Sequence, residues 1–308
     1  MSPLCGSLLT ERLGVMKTGA MTILFREIPG EERHIQHIEA MTRIKKAGFD
    51  AADLNLCLLA AHKNPYYDDN WQREADKVAE AAANIGIELP QCHLPFKSAK
   101  VKWRTPEDYA YYIEMFRRAI DVAARIGIPW GVIHPECFRN TELTKEEKLR
   151  LNHEEYDGLI DYALSRGLNI AYENMRSRAG NNYCSTAEDL CTLIDSYGDR
   201  RIGACWDTGH ANTCYRDQYE PLVTVGERLH CTHIDDNTGS DEDLHLAPFG
   251  GTIKWESVCR ALRDIKYQNP LMLEVFVNRH APDALKDGIA AAAHSAAAYL
   301  AGKIDGEY

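Results

Sequence analysis

The chain has 308 residues, of which 45% are hydrophobic and 26% charged, and its formal net charge is −11. This composition is that of an ordinary globular protein, but the acidic balance disfavours nucleic acid and anionic membranes as partners, because their phosphates need clustered Lys and Arg. No apolar run approaches the roughly 20 residues that a membrane span needs, so we expect no membrane-spanning segment.

The cysteines and the N-terminus indicate a cellular compartment. Ten cysteines are scattered along the chain without a Cys-x-x-Cys pair, and several lie in predicted strands, where a thiol behaves as a small hydrophobic side chain. The N-terminal residues lack the basic and apolar regions of a signal peptide. We therefore expect reduced structural thiols and a cytoplasmic protein.

The first half of the chain predicts four strands, each followed by a helix. The helices show apolar residues at helical spacing, and two of them open with a threonine N-cap, at Thr105 and Thr144. In chain order these elements are a strand over 12–16, a helix over 32–46, a strand over 49–56, a helix over 70–85, a strand over 87–93, a helix over 105–126, a strand over 130–134 and a helix over 144–166.

The second half repeats the alternation, with Ser185 as the expected cap of its first helix. The elements are a strand over 169–173, a helix over 185–197, a strand over 201–206, a helix over 219–228, a strand over 229–235, a helix over 254–265, a strand over 271–276 and a helix over 283–301. Eight such units predict a closed (β/α)8 TIM barrel, with residues 1–308 as a single domain. An open doubly wound sheet is the alternative, but no G-x-G-x-x-G follows the first strand.

Acidic and histidine side chains occur where six of the predicted strands end. All strand C-termini of a (β/α)8 barrel open on one face, so we expect these side chains to converge there. A lone histidine or glutamate at a strand end is often structural, but three carboxylates packed together would repel unless a cation neutralised them. A metal held by three of the carboxylates and one imidazole resolves that conflict and suits Mn²⁺, Mg²⁺ or Co²⁺. The six residues are His93, His134, Glu173, Asp207, His233 and Glu274.

Five motifs resemble the sugar-phosphate isomerase/epimerase superfamily of xylose-isomerase-like barrels, most closely its ketose 3-epimerase type. They follow the family's order and the similarity extends from about residue 48 to residue 276. The motifs are I-A-Y-E-N at 170–174, W-D-T-G-H at 206–210, H-I-D-D-N at 233–237, D-L-H-L-A-P-F-G-G at 243–251 and L-E-V at 273–275.

The resemblance implies a metal-dependent enzyme acting on a ketose or sugar derivative. Glu173, Asp207, His233 and Glu274 would hold one divalent metal, Mn²⁺ in the first place, with Mg²⁺, Co²⁺ and Zn²⁺ as alternatives. Glu173 and Glu274 would exchange a proton next to the carbonyl through an enediolate, and His210 would donate a hydrogen bond to a substrate oxygen. The partners implied are a small sugar and, as in many members of the family, further copies of the chain in a homo-oligomer.

Further side chains are candidates for contacting the sugar. The family type usually has an additional glutamate and an arginine where this chain has Ala179 and Gly239, and either Arg176 or Arg178 could take the place of the arginine. The other candidates for contacting the sugar are three histidines near the strand mouths and one aromatic ring that could stack on a sugar. They are His93, His134, His245 and Trp206.

Three other functions use the same barrel. Proton abstraction followed by β-elimination would make the protein a lyase or dehydratase of a keto-sugar or polyol. A non-catalytic sugar-binding barrel is disfavoured, because a binder needs no three-carboxylate metal site. The zinc apurinic-site endonucleases bind three metals, and this chain has matching side chains at all nine ligand positions, but their flanking residues differ and the chain has no basic stripe. Those positions are His93, His134, Glu173, Asp207, His210, His233, Asp243, His245 and Glu274.

Overall fold

Eight parallel strands form one sheet that closes into a barrel, as the strand–helix alternation predicts. The computed structural model describes residues 15–25, 37–57, 66, 68–97, 105–138, 142–177, 182–240, 242, 244–278 and 280–307. The strands are β1 (Thr18–Met21), β2 (Ala51–Asn55), β3 (Glu88–His93), β4 (Trp130–Ile133), β5 (Asn169–Glu173), β6 (Ile202–Asp207), β7 (Leu229–His233) and β8 (Leu271–Leu273). Neighbouring strands pair in sequence order, and β1 pairs with β8.

β7 and β8 are the two end strands of this order, and hydrogen bonds just beyond the end of β7 join them and close the barrel. Ile234 forms a parallel bridge with Leu273, and the Ile234 amide donates to the Met272 carbonyl oxygen at 2.8 Å. The Glu274 amide donates to the Ile234 carbonyl oxygen at 3.2 Å. The chain therefore forms a (β/α)8 barrel, and the strand ends that carry acidic and histidine side chains lie around a single mouth.

Nine α-helices occur in the described residues, and two of them confirm their predicted caps. Thr105 and Thr144 each accept a hydrogen bond from the backbone amide three residues on, and the acidic side chain of that residue accepts one from the backbone amide of the threonine. The helices are α1 (His37–Ala47), α2 (Trp71–Ile85), α3 (Pro106–Ile126), α4 (Lys145–Ser165), α5 (Ala187–Asp195), α6 (Thr208–Asn212), α7 (Tyr219–Val225), α8 (Trp255–Asp264) and α9 (Asp283–Asp305).

Three local predictions are wrong. The first strand is not at 12–16, of which 12–14 lie outside the described residues, but at β1, where Gly19 allows Met272 to pack close to the backbone. The cap of α5 is Thr186, whose hydroxyl accepts from the Asp189 amide at 3.3 Å. Helix α6 was not predicted, because Thr and Gly are weak helix formers and the helix has only five residues.

The core has two layers, one on each side of the barrel wall. Inside the barrel, small side chains from four successive strands pack together, with Trp130 below them; they are Val132, Ala171, Cys205 and Cys231. The larger layer lies between the strands and the surrounding helices. Small interior side chains leave room at the mouth for a polar site. No helix in the described part of the chain is long and apolar enough to cross a membrane.

Candidate metal centre and active site

Four side chains from four strand ends converge at the barrel mouth. Glu173 is the last residue of β5, Asp207 of β6 and His233 of β7, and Glu274 directly follows β8. One potential ligand atom from each of the four lies within 4.8 Å of those of the other three. All four residues are buried. The structure thus brings together the four side chains that the sequence analysis predicted as metal ligands.

Glu173 lies at the centre of the cluster. Its carboxylate oxygens lie 3.4 Å from His93 Nε2, 3.2 Å from His134 Nε2, 3.1 Å from His210 Nδ1 and 3.3 Å from His233 Nδ1. Burial by itself would raise the pKa of Glu173, but the neighbouring imidazoles hold this pKa well below its usual range. Glu173 is therefore an ionised carboxylate inside the protein.

Asp207 is held by its backbone and by the helix that it caps. The Asn174 side chain donates to the Asp207 carbonyl oxygen at 2.9 Å and accepts from the Asp207 amide at 2.7 Å. Asp207 Oδ1 caps α6 by accepting from the His210 amide at 2.6 Å. Burial raises the pKa of Asp207 to about 6, although the nearby imidazole of His210 acts in the opposite direction.

Several buried atoms of this group make no well-aligned hydrogen bond among the described residues, although imidazole nitrogens lie 3.1–3.4 Å from the Glu173 oxygens. These buried atoms are both carboxylate oxygens of Glu173, Oδ2 of Asp207 and Nδ1 of His233. Leaving a buried polar atom unsatisfied costs about 1–3 kcal/mol, and more for a charged one. Carboxylate oxygens and an imidazole nitrogen that point at one volume are ligands of divalent metals. The group could therefore hold a divalent metal.

A second group adjoins the first through Glu173. His93, His134 and Glu173 also have potential ligand atoms within 4.8 Å of one another. His93 Nδ1 lies 2.8 Å from the Leu94 carbonyl oxygen, to which it donates, so the lone pair of the neutral ring is on Nε2. That atom lies 3.1 Å from His134 Nε2. Phe96 stacks on the His134 ring at a centroid distance of 4.5 Å.

A third group adjoins the first through Asp207 and includes a residue that sequence reasoning missed. Asp207, Asp235 and His245 form it, and His245 Nδ1 lies 3.3 Å from Asp235 Oδ2. Burial raises the pKa of Asp235 well above its usual range. Asp235 is two residues beyond His233 in an extended segment, so strand alternation places both side chains on one face. This alternation could have identified Asp235 from the sequence. His245 has a φ of +46°, a strained conformation typical of functional sites.

The remaining candidates divide into those near the cluster and those away from it. His210 lies beside Glu173, and its Nδ1 also lies 2.9 Å from the Asn174 carbonyl oxygen. Arg176 is half-buried in the segment that follows β5. Trp206 is not brought to the site: its indole is 1% exposed in the outer core and donates to Gln218 Oε1 at 3.0 Å. Arg178 and Asp243 lie outside the described residues.

Known proteins of similar sequence include sugar epimerases and a nuclease. An uncharacterized protein, y4fM of Sinorhizobium fredii, is 29% identical over 171 residues, and the match spans 54% of each chain. The D-psicose 3-epimerase of Agrobacterium fabrum is 25% identical over 239 residues, 76% of this chain and 78% of that protein. A probable endonuclease 4 of Metamycoplasma arthritidis is 25% identical over 212 residues, 65% of this chain and 74% of that protein.

Solved structures agree on the fold. The D-psicose 3-epimerase from Clostridium cellulolyticum superposes with a TM-score of 0.72 at 18% identity, covering 92% of this chain and 99% of that one. The 3-keto-D-glucoside 4-epimerase from E. coli gives a TM-score of 0.66 at 15% identity, covering 91% and 99%. The Xylose isomerase-like TIM barrel family matches residues 41–294, which include every strand except β1 and all the clustered side chains. The chain therefore belongs to the Xylose isomerase-like TIM barrel family.

Proposed function

We propose that the protein is a divalent-metal-dependent epimerase or isomerase of a ketose or related sugar. The observation that carries the proposal is the buried group of Glu173, Asp207, His233 and Glu274, with ligand atoms within 4.8 Å of one another. The similarity to the D-psicose 3-epimerase over 76% of this chain supports a small ketose as substrate. We further propose that Mn²⁺ is the metal and that the whole chain forms one domain.

The proposed reaction needs a base and an acid beside one carbon of the substrate. The metal would act as a Lewis acid on the carbonyl oxygen of the sugar. Glu173 and Glu274 extend from different strands. Burial would raise the pKa of Glu274, but in the metal-free protein the protonated imidazole of His233 holds it down, to about 2; a bound metal would supply the positive charge when His233 is neutral. Both carboxylates are therefore ionised, and either one can remove the proton next to the carbonyl. The first glutamate is then protonated. The other glutamate would take up a proton from water and deliver it to the opposite face of the enediolate, which returns it to the carboxylate form.

Histidines around the two glutamates would orient the substrate. His210 Nδ1 lies 3.1 Å from Glu173 Oε1 and 2.9 Å from the Asn174 carbonyl oxygen, so the ring lies beside the proposed base and its other nitrogen, Nε2, is the one left to contact a sugar oxygen. His93, His134 and His245 line the same mouth, and we propose that they and Arg176 contact sugar hydroxyls. The same proton abstraction would lead to elimination if the substrate carried a leaving group β to the acidic proton.

A test of the proposal combines metal replacement with conservative variants. We expect protein stripped of metal to be inactive, and about one equivalent of Mn²⁺ per chain to restore turnover of one member of a panel of ketoses. Glu173→Gln and Glu274→Gln should each lower kcat by at least about 10²-fold, the scale of a lost acid–base group. Retained activity in both variants would refute the two-base mechanism.

The two adjoining groups favour a second candidate, a trinuclear nuclease-like site. His93, His134 and Glu173 could hold one further cation, and Asp207, Asp235 and His245 another. The match to a probable endonuclease 4 points the same way. Elemental analysis distinguishes the two candidates, because the epimerase requires about one metal per chain and the nuclease two or three zinc ions. His245→Ala should leave the metal content unchanged in the first case and reduce it in the second.

A further inference from the structure

One buried carboxylate below the candidate metal group has no role in the proposed reaction. Asp53 is on β2 and is 0% exposed. Its Oδ2 accepts from Gln91 Nε2 at 2.6 Å and lies 3.4 Å from His233 Nε2, on the opposite side of the barrel interior. Its Oδ1 has no hydrogen-bond partner in the described part of the chain. A carboxylate buried in this way is costly and needs a compensating partner.

His233 lies between Asp53 and the metal group. Its Nε2 faces Asp53, whereas its Nδ1 lies 3.0 Å from Glu274 Oε2 and 3.3 Å from Glu173 Oε2. Asp53 Oδ2 is an acceptor, as its bond from Gln91 shows, so a His233 ring that binds a metal through Nδ1 has its remaining N–H on Nε2, facing Asp53. The lone pair of Nδ1 then points at the carboxylates of Glu173 and Glu274. The ring can thus bind a metal through Nδ1 while its other nitrogen donates to Asp53.

We propose that Asp53 is a positioning residue, which fixes the tautomer and the ring orientation of His233 for metal binding through Nδ1. Metal-bound histidines commonly donate their second N–H to a carboxylate, which orients the ring and makes it a stronger ligand. This inference rests on the proposed metal site, but it does not depend on which sugar reaction the site performs. No sequence motif identified Asp53.

Gln91 keeps the Asp53 carboxylate within reach of His233. It occupies the position on β3 that pairs with Asp53 on β2, and its side-chain amide also lies 3.4 Å from the Thr232 carbonyl oxygen on β7. The amide therefore connects the strand of Asp53 with the strand of His233 through the barrel interior. Loss of this amide should let the carboxylate move without removing its charge, so the effect of Gln91→Leu should be smaller than that of Asp53→Ala.

The test measures metal binding directly and needs no substrate. Metal-free wild type, Asp53→Ala and Asp53→Asn are titrated with Mn²⁺ by calorimetry and with Co²⁺ by visible absorption. We expect Asp53→Ala to bind Mn²⁺ about 10–100-fold more weakly, the usual effect of losing such an outer partner, and to change the Co²⁺ spectrum. Asp53→Asn keeps the shape and one acceptor oxygen and should recover part of the affinity.

A control variant separates this role from general destabilisation. Asp189→Asn removes another buried carboxylate, which pairs with Lys145 at 2.6 Å on the helical exterior, and should leave the Kd and the Co²⁺ spectrum unchanged. If Asp53→Ala does not fold, the same metal titrations are made with Asp53→Asn and Gln91→Leu. Wild-type affinity and spectrum in the Asp53 variants would overturn the inference. A wild type that binds no metal would instead contradict the proposed metal site itself.

Discussion

A substitution at Gly209 tests the close packing of α6 against Asp235, which positions the side chains of the site. Gly209 is the second residue of α6, between Asp207 and His210, and its amide donates to Asp235 Oδ1 at 2.8 Å. A Cβ at this position would lie 2.5 Å from both carboxylate oxygens of Asp235. Asp235 cannot move aside easily, because it is 1% exposed and its amide donates to Thr208 Oγ1 at 3.0 Å.

We therefore expect Gly209→Ala to shift α6 or the end of β7. Overpacking of this kind costs about 1–3 kcal/mol. Alanine is favoured over glycine within a helix by about 0.5–1 kcal/mol, so the middle of the two ranges gives a net loss of about 1 kcal/mol in the free energy of unfolding. Because Asp207 and His210 flank the site of the shift, the affinity for Mn²⁺ should fall as well.

Urea unfolding in the presence of a chelator and Mn²⁺ calorimetry measure the two effects separately. Gly288→Ala is the matched control, because Gly288 lies within α9 and a Cβ there would meet no atom within 4 Å among the described residues. That variant should gain about 0.5–1 kcal/mol of stability and bind metal like the wild type. A Gly209→Ala protein with unchanged stability and unchanged metal affinity would show that α6 does not pack against Asp235 as the structure has it.

Three further expectations concern stability. Burial lowers the pKa of His37 to about 4, against about 6.5 in the unfolded chain, so the free energy of unfolding falls as the pH drops through this interval. Between pH 7 and pH 4, the free energy of unfolding of His37→Gln, measured in urea, should therefore fall by about 3 kcal/mol less than that of the wild type. Asn152→Ala should cost about 1–3 kcal/mol by the same assay, because the Asn152 side chain bonds both the amide and the carbonyl of Glu136, at 2.9 and 3.1 Å. Removing metal with a chelator should lower the Tm, and excess Mn²⁺ at about 100 times its Kd should add about 2.7 kcal/mol; an unchanged Tm would argue against a bound metal.

The barrel and its central cluster were predictable because both depend on periodic features of the sequence. Alternating strands and helices determine the topology, and a parallel barrel brings strand C-termini together whatever the loops do. Glu173, Asp207 and His233 could therefore be grouped although they are far apart in the chain. Their convergence in the structure follows from the fold rather than from any local motif.

The residues that were missed or misplaced depend on side-chain direction and loop conformation. Trp206 precedes Asp207 in the same strand, so alternation that points Asp207 into the barrel points Trp206 outward to the helices. Asp53 lies in the middle of β2, and nothing in the surrounding sequence connects it with a metal site. Its role can be inferred only from the structure, where it lies opposite His233. His245 is presented by a loop with a positive φ, which sequence periodicity does not encode.

Hydrogen exchange into the substrate tests the central claim most directly. Metal-loaded protein is incubated in D₂O with a panel of ketoses, and the sugars are analysed by NMR. We expect deuterium at the carbon next to the carbonyl, together with the epimer, in wild type but not in metal-free protein, Glu173→Gln or Glu274→Gln. Protein that binds two or three zinc ions, exchanges no hydrogen in any ketose and cleaves apurinic-site DNA would contradict the claim.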